Sequence, residues 1–419
     1  MLSGVDSVLF QSDCSNIDCR NFDCRGWNSP GDGVSSMPAW QPGQKRCGYE
    51  WGWIKTAYVA VSGGSEAIEE SIRLLDYYRS GTEKDIEIEA IENKLSLLVD
   101  RVMSEAGLYS KTYAALALKQ SEGSVEEAVF LLRAYRSTLT RNYYTNTANT
   151  ADMRVVRRIS AAFKDIEGGQ ILGATYDYTH RLINFDIGKE DAAGLRHSAR
   201  GLLAAQTAEE VIPFPRVSDA LKVEGLIDSP CEDNRAPYDV TVNTLEFPAN
   251  RSARLQTLSR ADTGFISGLA YSALRGFGQV HPTVGELRCG YVELYVPYTQ
   301  SGAESIYIGE ILITEIECFN SADDDHHGAP RHPSKEGNQM KLAVGYGAVF
   351  GRNENKAISM AVIDHELNCG GPYPAQDEEF VLTHGDSMEM NGFISHLKLP
   401  HYVTFQSKLD AVRKTRGNK

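Results

Sequence analysis

Two histidines stand five positions apart in FISHLKLPHYVTF, residues 393–405, with Pro400 directly before the second. Metal ligands on one face of a continuous helix sit three or four apart, and a proline disfavours helical geometry at the residue before it. His396 and His401 therefore do not make a helical metal pair. If LKLP turns back on itself, both imidazoles can converge on one metal ion or one anionic ligand. The plainer alternative is that one histidine caps the helix formed by HYVTFQSKLDAVRK while the other is a surface residue.

Four more clusters are denser in polar side chains than a core or an ordinary surface requires. YDYTHRL holds Asp177, His180 and Arg181; AQDEEF holds Asp377, Glu378 and Glu379; RSARLQTLSR holds Arg251, Arg254 and Arg260; RVVRR holds Arg154, Arg157 and Arg158. Each taken singly also reads as a solvated helix face or a surface ion pair. General signatures are missing: the chain has no P-loop, no G-x-S-x-G and no H-E-x-x-H. Gly345, Gly347 and Gly351 do not have the dinucleotide-binding spacing.

The elements that must position these clusters begin late in the chain. With 419 residues there is room for two or three domains, and 42% apolar with 23% charged residues is a folding composition. No apolar run approaches the ~20 residues of a membrane span, and no basic-then-apolar leader opens the sequence, so a cytoplasmic location without membrane attachment is expected. A net charge of −14 argues against nucleic acid as a partner, since phosphate neutralisation needs a basic surface. Anionic substrates must be met by local arginines. Cys14, Cys19 and Cys24 are spaced by five, which fits no common zinc framework, and Cys47 follows in the same Gly/Ser/Asn-rich stretch. Residues 1–56 read as a disordered N-terminal extension, with a metal site or disulfides among these four cysteines as the alternatives. Cys231, Cys289, Cys318 and Cys369 read as separate reduced thiols.

Folding signals start at AYVAVSGG, a short strand running into a helix with Ile68, Ile72 and Leu75 on one face. Amphipathic patterns predict further helices at 88–106, 110–120 and 124–139, giving a helical N-terminal domain over 57–140. Residues 141–151 are a polar linker, and 151–419 form a mixed α+β domain. Within it, RRISAAFKDIEGG reads as a basic helix start and a glycine turn, followed by a strand. Prolines scattered through 186–250 predict long loops with two short helices. A helix is expected at 262–274. GELRCGYVELYVPY and SIYIGEILITEIECF then form an antiparallel hairpin, followed by a strand at KLAVGYGAVF. Helices are expected at 355–367, from near Asp377, and at the C-terminus. The fold class is α+β, a helical N-terminal domain followed by a mixed domain with an antiparallel hairpin-containing sheet.

Read in order, AYVAVSGG, LSLLVDRVMSEAG, AALALKQSEG, EAVFLLRAYRSTL, RRISAAFKDIEGGQILGATYDYTHRL, LAYSALRGFGQVHPTVGELRCGYV, PAQDEEFVLTHGD and GFISHLKLPHYVTFQ resemble the PhnI family over roughly residues 57–415. The first 56 residues have no counterpart in that resemblance, and the loop SADDDHHGAPRHPSKEGNQ is longer and richer in histidine than the family pattern. The resemblance implies a carbon–phosphorus lyase core subunit, a transferase that displaces adenine from ATP with methylphosphonate to give α-D-ribose 1-methylphosphonate 5-triphosphate. It implies work beside core subunits G, H and J and the ATPase-like L subunit, and nucleosidase activity when alone. Nucleoside C–N cleavage needs a carboxylate near the sugar and an acid for the departing base. Asp177, His180, Asp377, Glu378 and Glu379 match the family's motifs for that work. Arg157, Arg158, Lys164, Arg181, Arg254 and Lys398 are the cations available for triphosphate and phosphonate. His396 and His401 match the family's pair that binds zinc at the boundary with J. Two ligands are too few to close a structural zinc site, so partner, water or ligand must complete it. Two other readings stand beside this one: a non-catalytic scaffold of the same complex that holds the zinc, and a stand-alone zinc hydrolase, which lacks an obvious third ligand.

Overall fold

Alternating apolar and polar positions in the two long runs pair as the sequence predicts. The structure, a computed structural model, describes residues 64–81, 85–187, 189, 191–206, 215–228, 237–278, 281–298, 304–321 and 341–416. The expected strand at 57–63, the N-terminal extension with its four cysteines, and the DDDHH loop lie outside these residues. Four strands form one antiparallel sheet in chain order: β1 (Arg154–Ser160), β2 (Thr283–Pro297), β3 (Ser305–Ser321) and β4 (Leu342–Phe350). The fold is therefore mixed α+β. β1 replaces the helix start expected at RRIS. Val155, Val156 and Ile159 favour extended backbone, and β2 offers a partner along the whole segment. The strand expected after the glycine turn is reduced to one bridge, Ile171 with Arg158.

The described residues divide into two units, 86–390 and a second containing 64–81 and 391–416. In the first, four helices form their own apolar cluster: α2 (Ile88–Lys94), α3 (Ser96–Ala106), α4 (Lys111–Gln120) and α5 (Val125–Ser137). The single helix expected at 88–106 breaks at Leu95, whose φ of −112° and ψ of 33° leave the helical region. Ile91 and Val99 are buried while Leu95 between them is exposed, so the apolar stripe is interrupted there. The region 186–250 contains α6 (Ala192–Gln206), longer than expected, and α7 (Val217–Val223). RSARLQTLSR, which no pattern assigned, is a helix, α8 (Arg251–Arg260), capped by Asn250, whose side chain accepts from the Ala253 N–H at 2.8 Å. α9 (Thr263–Ser272) follows.

The sheet's core partner is α10 (Glu354–Cys369). It lies so close to β4 that a Cβ on Gly347 would meet the Ala357 carbonyl at 2.1 Å and one on Gly345 the Ala361 carbonyl at 2.3 Å. The glycines of GYGAVFG therefore serve packing. α11 (Glu378–His384) and α12 (Ser387–His396) follow. In the second unit, α1 (Gly64–Ser80) and α13 (Tyr402–Thr415) bury no residue. None of the described helices is long and apolar enough to cross a membrane.

Candidate functional site

A bulge in β1 decides where its arginines point. Pairing jumps from Val155–Gly290 to Arg157–Cys289, and the two successive arginines then fall on opposite faces of the sheet. Arg157 is 5% exposed, yet its guanidinium makes three kinds of contact. Its Nε donates to Glu354 at 2.5 Å, and its two terminal nitrogens donate to the Asp177 carboxylate and the Leu172 carbonyl. Gly173, at φ +62°, lets this loop lie on β1, because a Cβ there would sit 2.8 Å from the Val156 carbonyl. Asp177 is thus a half-exposed carboxylate aimed by a buried clamp. The Thr175 hydroxyl and then Arg157 hold it below the usual carboxylate range. Arg181 lies 4.0 Å from its other oxygen, while His180 and Lys164 are exposed nearby in sequence without joining the clamp.

Beside Arg157 opens a cleft of about 300 Å³. Arg157 and Tyr291 line its sheet side, and Ser96, Asp100, Lys111 and Arg352 line the rest. Asp100 is 2% exposed and accepts from the Arg352 N–H at 3.0 Å; burial pushes its carboxyl up. Gly351, at φ +71°, makes that approach possible, since a Cβ would collide with Asp100 at 2.4 Å. The sequence reading missed Lys111 and Arg352. One available signal was a lysine directly after the Ser110 cap, where the positive end of a helix disfavours a cation.

Arg158 faces the other way, 2% exposed, into a buried charged layer beneath α7. It pairs with Glu286 at 2.5 Å and donates to the Pro215 carbonyl at 2.8 Å. Arg288 pairs with Glu315, which also accepts from Thr150 at 2.7 Å and Tyr346 at 2.8 Å. Glu317 accepts from the Ser218 hydroxyl at 2.7 Å and its N–H at 3.1 Å. Burial works against the Glu315 carboxylate, but Arg288 and Arg216 outweigh it and hold it low. Glu317 is pushed up to about 7 by burial and by the neighbouring Glu315.

The AQDEEF carboxylates are not brought to Asp177 by any contact. Asp377 caps α11, accepting from the Phe380 N–H at 2.9 Å. Glu378 accepts from the Ala249 N–H at 3.0 Å and stands 3.7 Å from Arg254, whose other nitrogen donates to Asn368. Glu379 is exposed. Arg251 pairs with the fully buried Asp364 at 2.5 Å.

The histidine pair belongs to the second unit, with exposed Lys398 between its members. The two rings lie 5.3 Å apart between centroids. The Nδ1 of His396 meets the Phe393 carbonyl, and that of His401 meets the Leu399 carbonyl at 2.6 Å. A carbonyl oxygen only accepts, so each Nδ1 is the donor, which leaves each Nε2 as the ring nitrogen that can face a metal. His401 stands at the N-cap of α13 without a side-chain capping bond. Among the described residues no group of three or more His, Cys, Asp or Glu side chains forms a metal site. The pair fits as a partial ligand set.

Comparison with known proteins gives a consistent answer. The family described as bacterial phosphonate metabolism protein (PhnI) matches residues 57–419. A putative C-P lyase subunit protein HtxH of Stutzerimonas stutzeri is 45% identical over 367 residues, 85% of this chain and 95% of that protein. The α-D-ribose 1-methylphosphonate 5-triphosphate synthase subunit PhnI of Escherichia coli strain K12 is 42% identical over 364 residues, 85% of this chain and 98% of its own length. The subunit of the same name from Rhizobium meliloti strain 1021 is 43% identical over 371 residues, covering 86% and 95%. Sequence blocks and whole-length similarity agree, and the chain belongs to the PhnI family of bacterial phosphonate metabolism proteins.

Proposed function

We propose that this chain is the carbon–phosphorus lyase subunit that displaces adenine from ATP with methylphosphonate, forming α-D-ribose 1-methylphosphonate 5-triphosphate. Alone, it releases the base from purine nucleoside triphosphates. In the full reaction the C1′–N9 bond breaks with its electron pair going to the base, which takes up a proton. A phosphonate oxygen closes on C1′. A β-nucleoside giving an α-product means inversion, so the carboxylate beside the sugar stabilises positive charge and forms no bond to it. Asp177 suits that role because it is ionised, exposed and held by a buried arginine. The proton for the base comes from His180 or from the AQDEEF carboxylates Asp377, Glu378 and Glu379. Arg181, Lys164 and Lys398 are exposed cations for the anionic ends of substrate and product, and Arg254 is a mostly buried one beside Glu378.

The observation that supports this reading most is the Arg157 clamp on Asp177, in a chain similar over nearly the full length of two synthase subunits. Partners are the G, H and J core subunits and the L subunit. Zinc bound through the Nε2 atoms of His396 and His401 would supply a Lewis-acidic centre completed by a partner. That half-set also favours a second reading, a scaffold whose task is to hold the interfacial zinc.

Full-length chain incubated with ATP should release adenine. Asp177→Asn should lower that rate at least 10²-fold, because charge stabilisation at the reacting carbon is lost. With the partner subunits and methylphosphonate, the phosphonylated ribose triphosphate should accumulate. Release of no adenine by the wild-type chain would leave the scaffold reading standing.

A further inference from the structure

We propose that the cleft bounded by α3, α4 and the sheet binds a small tetrahedral phosphorus oxyanion, a phosphate ester or a phosphonate, between Lys111 and Arg352. The inference is drawn from residues that the transfer reaction above does not use. It takes only its choice of probe from the family.

Charge placement around the cleft favours an anion. Lys111 is the first residue of α4, and neither α3 nor α4 has an acidic residue in its first turn. A cation at the positive end of a helix is opposed by the backbone dipoles, whereas an anion bound there gains from both helix and lysine. Lys111 interacts electrostatically with Asp100, yet no hydrogen bond from its ammonium to another described residue satisfies it. Arg352 has a similar shortfall. Among the described residues its side chain makes one hydrogen bond, to the Ser96 hydroxyl at 2.6 Å, and stands 3.9 Å from Asp100, so a residue lining the cleft uses few of its five donors.

Counter-charges already present do not take over these donors. Arg157 has Glu354 and Asp177 for itself. Asp100 turns one oxygen to the main-chain N–H of Arg352, and Glu92 accepts from the Thr112 hydroxyl at 3.1 Å. An ammonium, a guanidinium and a hydroxyl thus converge from three elements. Three oxygens of a tetrahedral anion can meet three such donors, whereas a planar carboxylate offers two.

Size and wall chemistry limit the rest of the ligand. A volume of about 300 Å³ stands at the lower end of small-molecule pockets. Val99 and Leu312 give the cleft an apolar side. A compact ligand with an oxyanion head and a short organic group fits, and the apolar side favours methylphosphonate over inorganic phosphate.

Isothermal titration of the full-length chain with methylphosphonate, inorganic phosphate and acetate tests this. One saturable site is expected for both phosphorus anions, tighter for methylphosphonate, with acetate at least tenfold weaker. Lys111→Met and Arg352→Met should each weaken binding at least tenfold, and Lys111→Arg should restore most of it. Lys119→Met, on the same helix with the same change of charge, should bind as wild type; thermal melts establish that each variant is folded. Absence of binding, wild-type affinity in folded Lys111→Met, an equal loss in Lys119→Met, or acetate binding as tightly as methylphosphonate overturns the proposal. Adenine release is not the readout, so failure here and failure of the transfer reaction are separate results.

Discussion

The two faces of β2 and β3 carry charge in opposite ways. On one, Arg158, Glu286, Arg288, Glu315 and Glu317 are each no more than 3% exposed and are answered by counter-charges, hydroxyls or the N-terminal N–H groups of α7. On the other, Lys111 and Arg352 stand around an open cleft with fewer partners than donors. Residues of the same type therefore do different work. A closed layer has nowhere for a ligand and every reason to resist loss of a member, because a buried charge without its partner is strongly unfavourable. An open cleft loses little stability with one charge, but it loses the anion. Arg157 and Arg158, adjacent in sequence and divided between the faces by the alternation of the strand, meet these two environments one position apart.

The largest test of the contrast is Glu315→Ala. It removes the carboxylate that meets Arg288, Thr150 and Tyr346, and leaves the Arg288 guanidinium, 3% exposed, without its nearest counter-charge. A loss of about 3–5 kcal/mol is expected, a large share of the 5–15 kcal/mol typical of a domain. Urea denaturation measures it. A loss under about 1 kcal/mol would mean that water reaches the layer and that the two faces are alike.

Glu317→Gln sharpens the contrast through pH. The folded carboxyl, pushed up to about 7, takes up protons more readily than the unfolded one. Between the unfolded value and about 7 the folded state then binds more protons, so its stability falls as pH rises through that window, and the cost is complete above it. Glutamine keeps one oxygen for the Ser218 N–H, turns its NH2 to the Ser218 hydroxyl, which then accepts, and has no charge to bury. The variant should gain more over wild type at pH 8 than at pH 5, by on the order of 1–2 kcal/mol. Thermal melts at the two pH values decide; an equal gain at both would show that Glu317 is ionised throughout or protonated throughout.

Much of this arrangement could be read before the structure was known. Alternation in GELRCGYVELYVPY and SIYIGEILITEIECF specified the hairpin, because a period of two has no other use at that length. The same alternation placed Glu286 with Arg288 and Glu315 with Glu317 on one face, but it did not say whether water or α7 covers that face. Burial there depends on Arg216, Val217 and Ser218, about 70 to 100 residues away in sequence. RRIS looked like a helix start because local pattern carries no information about a β2 partner more than a hundred positions on. Asp177 and Arg157 were both singled out from their motifs, whereas their clamp depends on Glu354, which no motif contained. Arg352 was illegible for the same reason, and Lys111 carried only its unfavourable place after the Ser110 cap; the fold alone brings the two to one cleft.

The smallest expected effect is also the one that separates the faces most cleanly. Lys111→Met removes a half-exposed charge that, among the described residues, is attracted to Asp100 and is unfavourably placed at the start of α4. These oppose each other, and without ligand the stability should stay within about 0.5 kcal/mol of wild type. Saturating methylphosphonate, at a hundred times its dissociation constant, should stabilise the wild-type chain by about 2.7 kcal/mol. The variant should gain far less at the same concentration, because its dissociation constant has risen. Melts with and without the anion, on both proteins, give all four values. If Lys111→Met instead unfolds the chain as Glu315→Ala does, Lys111 belongs to a structural charge network and the cleft is no different in kind from the layer on the opposite face.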